Sequence, residues 1–263
     1  MTTNGDLAAG LARAAGEALL ALRAGIGDGE YEPAALKDAG DQAAQRVLAA
    51  ALAEHAGGDA VLSEEAKDVG ERSSAETVWI IDPLDGTREF SERADGVWRD
   101  DWAVHVARWR RGAGLVGGAV ALPARGQVFS TEDVAPAPAP AWPLGRPLRL
   151  AVSRSRPPAL LSAVADLLSV EFVPMGSAGV KAMAVVTGRV DAYLHDGGQY
   201  EWDSAAPVAV ARAAGLHTSR IDGSELEYNG ADPWLPDLLI CPPALAGPLL
   251  AAVREARVKE DRA

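Results

Sequence analysis

Carboxylates stand at the ends of apolar runs in three places along this chain. In "WIIDPLDGTREF", residues 79–90, a buried-strand pattern stops on Asp82 and Asp85, which are separated by Pro83-Leu84 and followed at once by Gly86-Thr87. In "LSEEAKD", Glu64 closes another short apolar run, and in "EWDSAAPVAVARAAG" Asp203 falls at the N-cap of an expected helix. A carboxylate at the end of a buried strand loses hydration and needs a partner that restores the lost free energy. A divalent cation is such a partner. An all-oxygen set of Asp, Glu and a backbone carbonyl, here that of Leu84, suits Mg2+ or Mn2+ and not zinc. Gly86 and Thr87 open a segment that starts a helix, and helix N-termini hold phosphate through unpaired N–H groups. Metals beside a phosphate cradle point to phosphoryl transfer to water, in which two metals about 3.5–4 Å apart activate the nucleophile and stabilise the leaving oxygen.

Each group also has an ordinary reading. Taken alone, DPxDG is a turn, because Asp, Pro and Gly all favour turns. Glu64-Glu65 alone is a solvated acidic loop, and Asp203 alone is a helix cap. Their joint occurrence is what favours chemistry.

The elements that must position these groups follow from periodicity. Residues 6–24 and 41–56 repeat apolar positions at three and four, the amphipathic helix pattern. "AVLSEE" and "VWIID" read as short buried strands, and "DWAVHVARW" and "GQVFST" as strands of an antiparallel sheet. The insert "RADGVWRDDWAV" is either a lid over a substrate or an exposed hairpin tip. A Pro-alternating stretch, "DVAPAPAPAWPLGRP", predicts an extended linker. Beyond it, "LRLAVS", "EFVPM", "VDAYLH" and "DLLIC" alternate with helical stretches, an α/β arrangement following an α+β one. The expected organisation is an α+β domain at 1–134 carrying most of the metal ligands, a linker at 135–147, and an α/β domain at 148–263 carrying Asp203 and the substrate contacts.

Composition narrows the function classes. At 263 residues and 48% apolar, the chain can bury a sizeable core. A net charge of −12 argues against a nucleic-acid partner, since phosphate-backbone affinity needs clustered Lys and Arg. With Cys241 as the only cysteine, no intrachain disulfide can form and a reducing, cytoplasmic setting is expected. No signal peptide or membrane span is expected. "GAGLVG", residues 112–117, fits GxGxxG, but no helix pattern follows it, so it reads as a Gly-rich hairpin. Neither HExxH nor GxSxG spacing occurs, which removes zinc hydrolysis and a serine nucleophile.

"SEE", then "WIIDPLDGTREF", then "WDSAAPVAVARAAG", with "SRSRPP", "GSAGVKAMAVVTGRVDAYL" and "DLLIC", resembles the magnesium-dependent, lithium-sensitive inositol monophosphatase superfamily in order and spacing. Arg88-Glu89-Phe90 after DGT, together with "VSRSR", is most similar to its CysQ-type 3′(2′),5′-bisphosphate nucleotidases. The resemblance implies a layered α-β-α-β-α sandwich of the inositol monophosphatase and fructose-1,6-bisphosphatase type. It implies that Glu64, Asp82 and the Leu84 carbonyl hold one Mg2+, and that Asp82, Asp85 and Asp203 hold a second. A third, weaker site would use Glu64 and an upstream aspartate, for which Asp41 is the nearest match and Asp38 a poorer one. Here the family's "TxAD" is replaced by "LKDAGDQAAQ". Glu64, Thr87 and Asp41 are then the catalytic residues, with Thr87 paired to Asp41, while Gly86 and Thr87 cradle phosphate.

The resemblance further implies hydrolysis of the 3′-phosphate of 3′-phosphoadenosine-5′-phosphate, and of its sulfated parent, to AMP in sulfur assimilation. Ser153, Arg154, Ser155, Arg156, Ser177 and Lys181 are the candidate substrate contacts. His195 stands where close relatives carry a basic residue. A homodimer and lithium inhibition are implied as well. Inositol-1-phosphate or fructose-1,6-bisphosphate hydrolysis is the alternative within the class, and a non-catalytic metal-binding regulator the alternative outside it.

Overall fold

The computed structural model describes residues 3–27, 29–68, 70–154 and 159–260. Its first sheet has the order β1-β2-β5-β6-β7: β1 (Ala60–Ser63), β2 (Thr77–Asp85), β5 (Ala103–Arg110), β6 (Gly114–Leu122) and β7 (Gln127–Ser130). β1 runs parallel to β2, and the other neighbours are antiparallel. Every residue of β2 is buried. Successive side chains of a strand face opposite ways, and β2 sends Val78 and Ile80 into one core cluster and Trp79 and Ile81 into another. Both faces of the sheet must therefore be covered.

Helices α1 (Asn4–Ile26) and α2 (Pro33–His55) cover the Trp79 side, through Leu11, Leu19 and Leu48. Between β2 and β5 lie the single-turn helix α3 (Thr87–Phe90) and a hairpin of β3 (Arg93–Ala94) and β4 (Val97–Trp98). Its two-residue turn, Asp95-Gly96, has φ of 52° and 80°, the positive-φ pair that a type I′ hairpin requires. The insert read as lid or hairpin tip thus folds as a hairpin.

Residues 131–147 form neither helix nor strand. The second sheet follows, in the order β11-β12-β10-β8-β9: β8 (Leu148–Ser153), β9 (Val170–Met175), β10 (Ala192–Tyr200), β11 (His217–Ser219) and β12 (Trp234–Cys241). One of its faces meets α4 (Ala159–Ala165) and α7 (Pro243–Glu260), where Leu148 and Leu150 pack with Leu160, Leu245 and Leu249. Between the two sheets lie α5 (Ala178–Val186) and α6 (Glu201–Ala213). Val180, Ala206 and Val210 from these helices share one cluster with Val78 and Ile80 of the first sheet and Tyr193 and Leu238 of the second. The layers therefore run α-β-α-β-α, as the sequence resemblance implied. Gly118 permits the close approach of α6 to β6, since a Cβ there would stand 3.2 Å from that of Ala209.

Three local expectations shift. The second helix begins at Pro33, well before residue 41, because proline's fixed φ suits the first turn. Asp38 and Asp41 consequently ride on α2. α6 begins at Glu201, so Asp203 is its third residue and not its N-cap; it caps by accepting the Tyr200 N–H at 2.6 Å. Through Pro83 the chain stays in strand β2 and does not turn.

Arg23 of α1 braces the segment after β2 from below. It is 5% exposed and donates to the carbonyls of Phe90 (2.8 Å), Glu89 (3.0 Å) and Arg99 (2.8 Å). Its guanidinium also lies 4.8–4.9 Å from the ring centres of Phe90, Trp98 and Trp102. Burial lowers its pKa to about 10, which leaves it charged at neutral pH. Replacing Arg23 with Met removes a donor from each of three carbonyls and is expected to cost about 2–4 kcal/mol of stability in urea unfolding. A loss under about 0.5 kcal/mol, the range of ordinary surface changes, would show that the brace is dispensable.

Candidate functional site

The site begins with a register error built into β2. Two residues of one strand three apart should face opposite sides of a sheet. Against β5, however, Asp82 pairs with His105 and Asp85 pairs with Ala103, so three steps on β2 match two on β5. This bulge at Pro83-Leu84 inserts one extra residue and turns Asp85 back to the face that Asp82 shares with Val78 and Ile80. Leu84 faces the other way, into the α2 side, where Gly40 leaves room for it and for Phe90. The parallel register of β1, with Ser63 opposite Ile81, carries Glu64 to the position next to Asp82. From the far side, the first turn of α6 delivers Asp203.

Carboxylate oxygens of Asp82, Asp85 and Asp203 come within 4.8 Å of one another. The two arms of Asp82 differ. Oδ1 accepts the Leu84 N–H at 3.0 Å, whereas Oδ2 is buried with no hydrogen-bond partner among the described residues. An orphaned carboxylate oxygen facing two more carboxylates fits a hard cation. Thr87 donates its hydroxyl to the Leu84 carbonyl at 3.2 Å, which keeps that carbonyl at the site.

Asp85 is anchored by Ser177, which the sequence reading assigned to substrate, and by two residues it did not single out, Gly179 and His105. Its Oδ2 accepts the Gly179 N–H at 2.8 Å and the Ser177 hydroxyl, both from the start of α5. Nε2 of His105, a fully buried residue, lies 3.2 Å from the same oxygen. The other ring nitrogen, Nδ1, lies 3.0 Å from the Trp202 carbonyl, which can only accept. With a carbonyl at Nδ1 and the Asp85 carboxylate at ion-pair distance from Nε2, though without hydrogen-bond geometry there, the imidazolium is favoured. Burial opposes that charge, but Asp85 outweighs it and raises the His105 pKa. A signal for His105 was present in "AVHVARW": it shares strand parity with Ala103 and Ala107, which face the layer between the sheets. Gly179 is required by contact, because a Cβ there would stand 2.2 Å from Nε2 of His105.

The electrostatics divide the acids. Burial alone would raise the Asp85 pKa, but His105, Lys181 and Ser177 hold it well below the usual carboxylate range. Asp82 goes the opposite way, pushed far up by burial and then by Glu64, Asp85 and Asp203. Glu64 is raised to about 7 by loss of water and by Asp203 and Asp85, and Asp203 to about 6 by burial and Asp85. On α2, Asp41 is raised to about 7 by burial and by its neighbours Glu65 and Asp38.

Of the expected substrate contacts, Ser153, Ser177 and Lys181 line one cavity of about 370 Å3 together with Asp85 and Asp203. The Ser177 hydroxyl is occupied by Asp85 and by the Val180 N–H, which it accepts at 3.0 Å to cap α5. Ser177 has a φ of 53°, an uncommon backbone state for a residue with a side chain. Buried Lys181 donates to the Ser177 carbonyl at 2.7 Å. Arg154 pairs with Glu89 at 3.2 Å and with Asp101, outside that cavity wall. Ser155 and Arg156 lie outside the described residues. His195 faces the cavity with Nε2 2.9 Å from the Gly198 carbonyl, and burial lowers its pKa.

The profile of the inositol monophosphatase family matches residues 5–257. The 3'-phosphoadenosine 5'-phosphate phosphatase of Mycobacterium leprae (strain TN) is 52% identical over 261 residues, covering 96% of this chain and 94% of the relative. That of Mycobacterium tuberculosis (strain CDC 1551 / Oshkosh) is 53% identical over 247 residues, covering 92% and 90%. More distant is the 3'(2'),5'-bisphosphate nucleotidase CysQ of Salmonella typhimurium, 28% identical over 86% of this chain and 94% of its own. Among solved structures, the inositol monophosphatase from Anabaena (Nostoc) sp. PCC 7120 superposes with a TM-score of 0.75 at 22% identity, covering 95% of both chains. That likeness bears on the fold.

Two outcomes follow from the site's charge. Carboxylates near pKa 6–7 in the folded chain and near 4 when unfolded bind extra protons in the native state over that interval. His105, raised when folded, likewise contributes stability below its unfolded pKa and loses it as pH climbs. Metal-free protein in EDTA should therefore melt at progressively lower temperature from pH 5.5 to 8, and excess Mg2+ should flatten that slope. Equal slopes in thermal denaturation with and without Mg2+ would contradict the charge assignment. Gly179→Ala, which drives a methyl into His105, should lower Mg2+ affinity at least tenfold by calorimetry, and unchanged affinity would free Asp85 of its dependence on α5.

Proposed function

We propose that this chain, which belongs to the inositol monophosphatase family, is a magnesium-dependent phosphomonoesterase that hydrolyses the 3′-phosphate of 3′-phosphoadenosine-5′-phosphate to AMP and phosphate. The observation that carries the proposal is the convergence of Asp82, Asp85 and Asp203 around an unpartnered buried oxygen, beside a cavity lined by cationic and hydroxyl side chains. The substrate rests on relatives more than half identical across nearly the full length of both chains, each named for that phosphatase activity.

Glu64, Asp82 and the Leu84 carbonyl would hold one Mg2+, and Asp82, Asp85 and Asp203 a second, with Glu64 and Asp41 the candidates for a third. When bound, the magnesium ions neutralise the phosphate and increase the acidity of water at the site. The chain's own groups supply the rest. Glu64, next to Asp82 at the strand edge, is the expected group that orients the attacking water. Thr87, whose hydroxyl donates to the Leu84 carbonyl and not to Asp41 as the resemblance implied, has its oxygen lone pairs to orient that water, and the N–H groups of Gly86 and Thr87 are the expected contacts to the phosphate oxygens. Water adds to phosphorus as the bond to the ribose 3′-oxygen breaks, and that oxygen leaves opposite the attack. Lys181, over the Tyr193 ring at 5.3 Å, and Ser153 line the cavity and are the expected contacts to the nucleotide.

A cytoplasmic enzyme of sulfur assimilation that acts as a homodimer is the setting this reading implies. No helix among the described residues is long and apolar enough to cross a membrane. The test is phosphate release from 3′-phosphoadenosine-5′-phosphate, inositol-1-phosphate and fructose-1,6-bisphosphate, with and without Mg2+. The nucleotide should be turned over fastest, only with Mg2+, and at least a hundredfold more slowly by Asp85→Asn, with inhibition by millimolar lithium. A sugar phosphate turned over faster would keep the mechanism and overturn the substrate.

A further inference from the structure

The same cavity has a side that the phosphate chemistry does not use. Its wall includes Tyr200 at the end of β10 and Trp234 at the start of β12. These residues are direct cross-strand partners, which places their side chains on one face of the sheet. Each is large, apolar and unusually open, at 45% and 48% exposed. Such exposure in a cavity wall that also carries Asp85 and Asp203 calls for an aromatic or apolar portion of the ligand.

The backbone beneath Trp234 is shaped to receive it. Gly197 and Gly198 adopt φ of 134° and 86° at a break in the β10–β12 register. A Cβ on Gly198 would stand 2.8 Å from the indole Nε1 and 3.1 and 3.2 Å from Cζ2 and Cε2. The indole thus rests one edge on bare backbone, and residues with side chains at 198 would displace it. The entry to β12 is also tied down. Glu201, 1% exposed, accepts the N–H groups of Asn229 and Gly230 at 2.7 Å, and its own N–H donates to the Pro233 carbonyl at 2.8 Å. Buried Arg72 donates to the Gly230 carbonyl and to the Asn229 side chain. A half-open indole held this rigidly loses little freedom when a flat ring settles on it.

We infer that Trp234 is the stacking platform for the nucleobase, and that it makes the site select a nucleotide over a phosphomonoester with no base. Tyr200 is the weaker candidate, because its ring is already stacked on Trp202 at 4.7 Å and 11°. The inference rests on the nucleotide reading of the cavity and is tested separately from turnover. Trp234→Ala, Trp234→Phe and Tyr200→Ala are titrated in Mg2+ with adenosine 5′-monophosphate and, separately, with inorganic phosphate. Base stacking is lost on alanine substitution at a cost corresponding to roughly five- to 150-fold in affinity. Trp234→Ala should therefore bind the nucleotide about tenfold more weakly than wild type while its phosphate affinity stays within twofold. Trp234→Phe should recover most of the loss.

Equal weakening toward both ligands, unchanged nucleotide affinity, or a loss that appears in Tyr200→Ala instead would each overturn the assignment. If wild type releases no phosphate from the bisphosphate yet Trp234→Ala still loses AMP selectively, the reaction falls and the platform stands. If wild type hydrolyses the bisphosphate and Trp234→Ala binds AMP normally, the platform falls and the reaction stands.

Discussion

Repulsion among carboxylates is the constraint on which the rest of this structure depends. Two unit charges 4 Å apart repel by about 4 kcal/mol at the effective dielectric of a protein site, and here oxygens of three acids meet within 4.8 Å, two of the residues fully buried. A chain of ordinary stability cannot hold such a cluster without local compensation. The compensation is visible around Asp85, where an imidazolium, a lysine and the first turn of α5 converge. Around Asp82 it is weaker, limited to the Leu84 N–H and to His105 at 3.9 Å, and that asymmetry gives the site its chemistry. One ligand is fixed in its ionised form by the protein, while its neighbours hold protons or await a cation.

The same asymmetry explains why the supporting residues are so specific. Ser177 accepts a positive φ, Gly176 accommodates the Glu89 carboxyl against its Cα, and Gly179 gives way to His105. These positions let α5 approach the bulged end of β2 closely enough for a backbone N–H to reach Asp85. Pro207, four residues after Asp203, lacks the N–H that would ordinarily bond the Asp203 carbonyl. The first turn of α6 is therefore held by Glu201, Tyr200 and the His105 contact to Trp202 more than by its own ladder.

Local pattern carried much of this architecture. The apolar runs ending at Glu64 and Asp82 correctly implied neighbouring strands with a common edge, because parallel register and burial both act on short stretches. The alternation of strands and helices after residue 147 was equally legible. The bulge at Pro83-Leu84 was not, since nothing in the sequence distinguishes a proline that turns the chain from one that adds a residue to a strand. Asp203 was readable as a functional acid, but its place in the helix depended on where Tyr200 left β10. His105 and Gly179 escaped notice because their roles exist only once α5 is packed against β5, a contact between segments some seventy positions apart. Trp234 was hidden for a similar reason, as the seat of its indole depends on Gly198 in another strand.

The middle layer of α5 and α6 belongs to both sheets at once. Their side chains complete the core beneath β2 and also that beneath β10, and their first turns reach the acidic cluster of Asp82, Asp85 and Asp203. Neither half of the sequence therefore owns a finished interior. The stretch at 131–147 resembles a seam for splicing, yet exchanging the C-terminal half for that of a distant relative would replace the inner wall of the N-terminal one. Inheritance of this fold is accordingly tied to the whole chain, and substitutions in α5 and α6 have to be accepted on two surfaces together.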